Sequence, residues 1–316
     1  AVSGDPAPRQ YLRAYLRHHL RAGLQVRWSD DTTPGLAAIE RVAAGEAQWR
    51  PLVDRVVAYT MDAPRNADGL IEHLGRTRLP GVRLLFPEAW VDSLFHVVPT
   101  LMRYSALTGE TRYRDEGARQ LRLFLAALQD PASGLVTHAC NGGAPAEAVP
   151  PFSERAFWAR GNGWMLAALV DALAHLPGDH PDRPALLVGA RRLEAALRSV
   201  QTPDGLFHTL LLSPDSYRET AGSALIVYAM ARGLKLGVFP AQTRRHVQRG
   251  ARGLLSVLRR RETGAEVTGT SLGTNPVQAL YAWTPTADQV SYGVGAWLMA
   301  ASAILDLAPG AAHAAR

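Results

Sequence analysis

Apolar residues recur at spacings of three and four over residues 9–23, 47–62, 112–129, 182–201 and 241–260, with arginines and acidic residues filling the positions between. That period lays the apolar side chains along one stripe of a helix, so it predicts five amphipathic helices that cover a core from outside. Between them run more evenly apolar stretches, near 35–45, 90–105, 156–176, 219–236 and 291–307. A helix that is apolar on most sides is buried on most sides. Two kinds of helix therefore alternate, and no succession of strands and helices interrupts them.

A repeat accompanies the alternation. "NADGLIEH" (66–73), "PASGLVTH" (131–138) and "TPDGLFH" (202–208) each follow an amphipathic helix, and each sets Gly-Leu shortly before a histidine. The glycine suits a left-handed residue in the turn leaving a helix, and the leucine can anchor the returning chain in the core. One outer helix, one such turn and one inner helix, repeated, form an all-α toroid in which the loops collect at the two ends and one end carries the site. Residues 1–316 read as a single α/α-barrel domain, with 1–27 contributing an N-terminal outer helix from a truncated first hairpin.

Composition narrows the function. With 316 residues and 47% hydrophobic content the chain can bury a large core. Runs such as "SALIVYAMA" are too short to span a bilayer, so no membrane partner is expected. The chain starts at Ala1 rather than Met; a cytoplasmic location is expected, with a periplasmic or secreted one open if a leader has been removed. A single cysteine, Cys140, rules out an intramolecular disulfide and a multi-thiolate metal site. The net charge of +6 comes from arginine, since Lys235 is the one lysine. The arginines are interspersed with acids along the amphipathic stretches, which predicts a solvated outer face and no nucleic-acid partner.

Candidate chemistry gathers in a few stretches. In "AWVDSLF" (89–95) Asp92 sits among Trp90, Leu94 and Phe95, where a carboxylate loses hydration unless it is paired or keeps its proton. His96 follows one turn later, and His73, His138 and His208 close the three repeats. "FWARGNGW" (157–164) opens an inner helix with Arg160, a cation at the positive end of the macrodipole, which points to an anionic ligand. Trp158 and Trp164 offer faces on which sugars stack, or else belong to the core with Gly161 and Gly163 relieving crowding between helices. Asp30 and Asp31 in "WSDDTTPGL" (28–36) precede a helix; for Asp31, Thr32 and Thr33 capping is the expected role. Glu219, Thr220 and Ser223 suit caps and close packing.

Taken together, "WSDDTTPG", "DGLIEH", "AWVDSLF", "GLVTHACN", "FWARGNGW", "ETAGSALIVYAMARG" and "YGVGAWLMAASAI" resemble, in order and approximate spacing, glycoside hydrolase family 105, the unsaturated rhamnogalacturonyl hydrolases, which are related to the unsaturated glucuronyl hydrolases of family 88. The resemblance covers residues 28–307. It implies an (α/α)6 toroid and an enzyme that removes a 4,5-unsaturated uronic acid from the non-reducing end of lyase-generated oligosaccharides by hydrating the double bond, with no cofactor and no metal. It places Asp92 as the catalytic acid/base and Asp30, His73, His138, Arg160 and Trp164 in the substrate pocket. An acid that protonates carbon must hold its proton near neutral pH, and the apolar neighbours of Asp92, with a nearby carboxylate, are expected to raise its proton affinity. The expected partner is a small oligosaccharide ending in an unsaturated uronate.

The chain departs from the family pattern in three places. One inner helix is missing from the beginning of the alternation, Cys140-Asn141 stands where an aspartate is common, and the segment between His73 and Asp92 is long. Another sugar-active toroid, such as a polysaccharide lyase or an epimerase, and a carbohydrate-binding protein without turnover remain alternatives, because fold alone fixes no chemistry.

Overall fold

The computed structural model describes residues 6–77, 86–143, 156–274, 276 and 278–308. The outer helices are α1 (Ala7–Ala22), α3 (Arg50–Asp62), α5 (Thr111–Leu128), α7 (Arg183–Val200) and α9 (Thr243–Ser256). Alternating with them are the inner helices α2 (Thr33–Ala43), α4 (Asp92–Thr108), α6 (Ala159–His175), α8 (Thr220–Lys235) and α11 (Ser291–Leu305), while α10 (Gln278–Tyr281) is a single turn. The inner helices pack side by side in the order α2, α4, α6, α8, α11, and α3, α5, α7 and α9 each pack on the inner helix before them.

Burial follows that order. Almost every residue of α6 and α8 is buried, polar ones such as Asn162 and Ser223 included. At the ends of the row α2 and α11 bury only a stripe, and Leu298 and Leu305 of α11 stay more than half exposed. Five inner helices stand among the described residues, one fewer than a six-hairpin ring contains. Close approach of the central helices depends on glycine: a Cβ on Gly163 would lie 2.7 Å from Leu225 Cβ, and one on Gly161 2.9 Å from Val91 Cγ1. Both lie well inside van der Waals contact, so Gly163 permits the spacing between α6 and α8, and Gly161 that between α6 and the residue ahead of α4.

The three repeat turns share one geometry. Gly69, Gly134 and Gly205 have φ of 81°, 78° and 91°, which only glycine adopts readily, and Leu70, Leu135 and Leu206 are buried beneath them. Each turn leads from an outer helix to the start of the next inner one, so His73, His138 and His208 arrive at the same end of the toroid.

Two local expectations are corrected. The helix read from 241 to 260 stops at Ser256, and Leu258–Arg261 (β3) pairs antiparallel with Gly264–Val267 (β4). Glu266 draws Arg259 and Arg261 across this hairpin, at 3.6 and 2.7 Å, and Val267 takes the buried place opposite Leu258. The residues before α2 do not cap it. Ser29–Thr32 form a 3₁₀ turn in which Asp31 accepts the Arg27 amide at 2.9 Å, Thr32 donates to the Ser29 carbonyl and Thr33 to the Asp30 carbonyl. Glu219, by contrast, caps α8 by accepting from the amides of Ala221 and Gly222.

Arginines of the outer helices meet acids, as in Arg13 with Glu46, Arg119 with Glu116 and Arg122 with Asp182. Among the described residues no helix is long and apolar enough to cross a membrane.

Candidate active site

The inner helices run in one direction and begin at the same end, so their positive dipole ends converge there. Asp30 lies three residues before α2, Asp92 is the first residue of α4, Arg160 the second of α6, and Glu219 precedes α8. Short backbone links hold these loops together. Ala89–Trp90 (β1) pairs antiparallel with Ala139–Cys140 (β2), and the Val91 amide donates to the His138 carbonyl at 2.9 Å. That link brings Asp92 beside His138. A second one, from the Ser29 amide to the His73 carbonyl and from the His73 amide to the Glu88 carbonyl, brings in the Asp30 turn.

Asp92 Oδ2 lies 2.9 Å from Nε2 of His138, and its side chain keeps 18% of its surface exposed. Among the described residues its hydrogen-bond partner is therefore a histidine and not an arginine, and its side chain is not wholly enclosed. His138 is 3% exposed and packs between Trp158, at a centroid distance of 4.4 Å, and Trp90, edge-on at 5.5 Å. His73 stacks on the other part of this cluster, 4.3 Å from Trp90 with ring planes 10° apart. Its Nδ1 meets the Ser93 hydroxyl at 3.1 Å, and its Nε2 lies 3.8 Å from Asp30 Oδ1.

His96 approaches the same Asp30 oxygen at 3.5 Å, and its ring centroid is 6.2 Å from that of Trp164. Trp164 is half-buried and tilts against Phe95 at 4.3 Å. Asp30, His73, Asp92, His96, His138 and Trp164 thus form one cluster.

The electrostatics of Asp92 run against the sequence expectation. Desolvation does raise its proton affinity, but the charge that His138 carries when protonated and its hydrogen bond, with His73 and Arg160 behind it, outweigh that and bring the carboxyl down to about 2. Asp92 in this site is a carboxylate. Burial acts on His73 in the opposite sense, lowering its pKa because the charged imidazole loses solvent. The Cys140 thiol is pushed up to about 12 by burial and then by Asp68 and Glu88, which leaves it inert as a nucleophile.

The anion that faces Arg160 is internal. Its guanidinium lies 3.3 Å from the fully buried Glu219 and donates to Ser271 Oγ at 2.8 Å, to the carbonyls of Ser271 and Leu272 at 3.1 Å, and to Thr274 Oγ1 at 3.3 Å. It also lies over the rings of Trp158 and Tyr292, at 4.4 and 5.0 Å. Trp158 is 1% exposed and belongs to the core. His208 hydrogen-bonds the Ser216 carbonyl through Nδ1. Residues 78–85 of the long segment before Asp92 lie outside the described residues.

Sequence reasoning left His96 out of the pocket, although its position four residues after Asp92 puts the two on one helix face. It also missed Ser29, Ser93 and Tyr281. Tyr281 comes from an excursion between Thr270–Ser271 (β5) and Thr286–Ala287 (β6), where no periodic pattern marks it.

The fold and the site together define an α/α toroid with an aspartate–histidine cluster at the end where its inner helices begin. The chain belongs to Glycosyl Hydrolase Family 88, whose profile matches residues 1–308. It is 29% identical to an unsaturated 3S-rhamnoglycuronyl hydrolase of Formosa agariphila, over 69% of this chain and 58% of the relative. It is 31% identical to the unsaturated rhamnogalacturonyl hydrolase YesR of Bacillus subtilis, over 55% of this chain and 48% of that one. The matches thus span about half the length of these relatives. Among solved structures, a possible GH105 member from Klebsiella pneumoniae superposes with a TM-score of 0.83 at 25% identity, over 96% of this chain and 77% of the other.

Proposed function

We propose that this chain removes a 4,5-unsaturated uronic acid from the non-reducing end of lyase-generated oligosaccharides, with Asp92 as the acid/base. The observation that carries the reading is the hydrogen bond from His138 to one oxygen of a partly exposed Asp92, inside a cluster where Asp30, His96 and Trp164 share the mouth. Family membership supports it, as do the names of the two relatives.

The chemistry is hydration of an enol ether. The Asp92 carboxyl gives its proton to C4, and the ring oxygen stabilises the cation that develops at C5. Water adds to C5 and returns a proton to Asp92. The resulting hemiketal opens and the remaining saccharide leaves as an alcohol, so one water is consumed and the carboxyl is restored. Since Asp92 is a carboxylate in the free site, the proton enters with the substrate. The uronate carboxylate adds negative charge beside Asp92 and expels water, and both effects raise its proton affinity.

Other residues handle the sugar. The helix starts and His73 favour the substrate carboxylate, Asp30 accepts sugar hydroxyls, and Trp164 with Phe95 provides a stacking face. Arg160 acts through its charge while its donors stay on Glu219 and the β5 segment.

The test is the ultraviolet absorbance of the conjugated double bond in unsaturated rhamnogalacturonan and glucuronyl disaccharides. It disappears with wild-type protein and persists with Asp92→Asn. An absorbance left unchanged across the panel overturns the reading. Calorimetric binding without turnover points to a lectin-like role, and a rise on intact polymer to a lyase.

A further inference from the structure

Behind His138, on the side away from Asp92, stands a phenol. Tyr281 ends the one-turn helix α10, 143 residues after His138, and its hydroxyl lies 2.6 Å from Nδ1 of that histidine. The ring is 1% exposed and packs with Ala156 and Trp158. Among the described residues His138 is the hydrogen-bond partner of the Tyr281 hydroxyl. A row therefore runs from Tyr281 Oη to His138 Nδ1, and from His138 Nε2 to Asp92 Oδ2 at 2.9 Å.

The proton positions along this row follow from what each group can donate. A neutral ring that gives its one hydrogen to the Asp92 carboxylate through Nε2 leaves Nδ1 bare, and the phenol then donates to it. The neutral imidazole carries its hydrogen on Nε2, where it faces a carboxylate. Burial, and then the charge of Asp92, push the Tyr281 phenol well above its ordinary pKa, so it keeps the proton it donates. The opposite tautomer would set two lone pairs against each other at the Asp92 contact.

We propose that Tyr281 is a positioning residue for the hydration reaction: by donating to Nδ1 it fixes His138 as the Nε2–H tautomer, so that His138 holds one oxygen of Asp92 and leaves the other to carry the proton to and from the substrate. This inference rests on the reading of Asp92 as the acid/base. Acting through His138, Tyr281 should influence the chemical step and leave substrate binding alone.

The experiment pairs kinetics with ¹⁵N NMR of the His138 ring on the full chain, comparing wild type with Tyr281→Phe, which keeps the ring in its packing. In wild type Nδ1 resonates as a bare nitrogen and Nε2 as a protonated one. In the variant the Nδ1 signal shifts toward the protonated position, and kcat falls about 10- to 100-fold with KM nearly unchanged. A protonated Nδ1 in the wild type overturns the proposal, as does a variant with unaltered tautomer and kcat, or a loss confined to KM. Should the variant fail to fold, the wild-type spectrum decides. The spectrum needs no substrate, so a failure of the acid/base reading, seen as wild-type inactivity, is distinguishable from a failure of the tautomer assignment.

Discussion

The hydroxyl of Ser29 donates to the hydroxyl of Ser93 across 2.9 Å, with both residues buried. One comes just before Asp30 and the other just after Asp92, so this single bond ties the turn ahead of α2 to the first turn of α4. The Ser93 hydroxyl also meets His73 Nδ1, which adds the first repeat loop. Three candidate residues from separate parts of the chain are held in register by one pair of hydroxyls.

Removing that pair should cost more than one hydrogen bond. Ser93→Ala leaves the Ser29 hydroxyl and His73 Nδ1 unpaired in a buried place, with an expected loss of about 1–3 kcal/mol in urea unfolding. Turnover should fall as well, because Asp30 and His73 lose their common anchor. A variant as stable and active as wild type would show that the backbone links alone keep the register.

Arg160 and Glu219 should behave as a buried pair. Arg160→Ala strands a carboxylate whose side chain has no exposed surface, so a loss of about 3–5 kcal/mol is expected in chemical denaturation. Arg160→Lys should recover little of it, since an ammonium cannot reach Glu219, Ser271 and Thr274 together as the fork does. A loss below about 1 kcal/mol would place the pair with ordinary surface bridges.

The pH dependence follows from Asp92 being a carboxylate in the free site. Its carboxyl must regain a proton on substrate binding, so kcat/KM, which reports the free enzyme, should fall by about tenfold per unit as pH rises from 5 to 8. The value of kcat should stay level over part of that range, because the bound substrate raises the proton affinity of Asp92. A flat kcat/KM to neutral pH would mean the free enzyme already carries the proton. The same shift has a stability side. A folded-state pKa lowered from 3.8 to about 2 stabilises the fold above 3.8 and is lost as pH falls toward 2, so acid unfolding of Asp92→Asn should lack this component.

How much of this was legible in the sequence depended on how local the cause was. The ten long helices were legible because a stripe or a full coat of apolar residues is a property of neighbours three and four apart. His73 and His138 were legible because a turn that needs glycine and a buried leucine repeats before them. The charge state of Asp92 was misread for the complementary reason. Its sequence neighbours are apolar, but the groups that decide its protonation, His138, His73 and Arg160, arrive from other loops. Arg160 likewise pointed to an anion, and the chain supplies one itself in Glu219, 59 residues on. Tyr281 lies between β5 and β6, where nothing periodic announces a side chain directed inward.

"FWARGNGW" supplies two tryptophans that sequence alone could not tell apart, and their surroundings predict opposite consequences of removing them. Trp158 is 1% exposed, touches His138 and Tyr281, and lies under the Arg160 guanidinium. Trp158→Ala should therefore open a cavity beneath the site and cost about 3–5 kcal/mol of stability. Trp164 leans on Phe95 and faces His96 at the mouth, with part of its ring uncovered. Trp164→Ala should leave most of the stability in place and raise KM about tenfold, the loss of one stacking face worth about 1–1.5 kcal/mol. Thermal unfolding and steady-state kinetics on the two variants separate the effects. If Trp164→Ala melts as early as Trp158→Ala with KM unchanged, the ring belongs to the core and the stacking face must be sought elsewhere in the pocket.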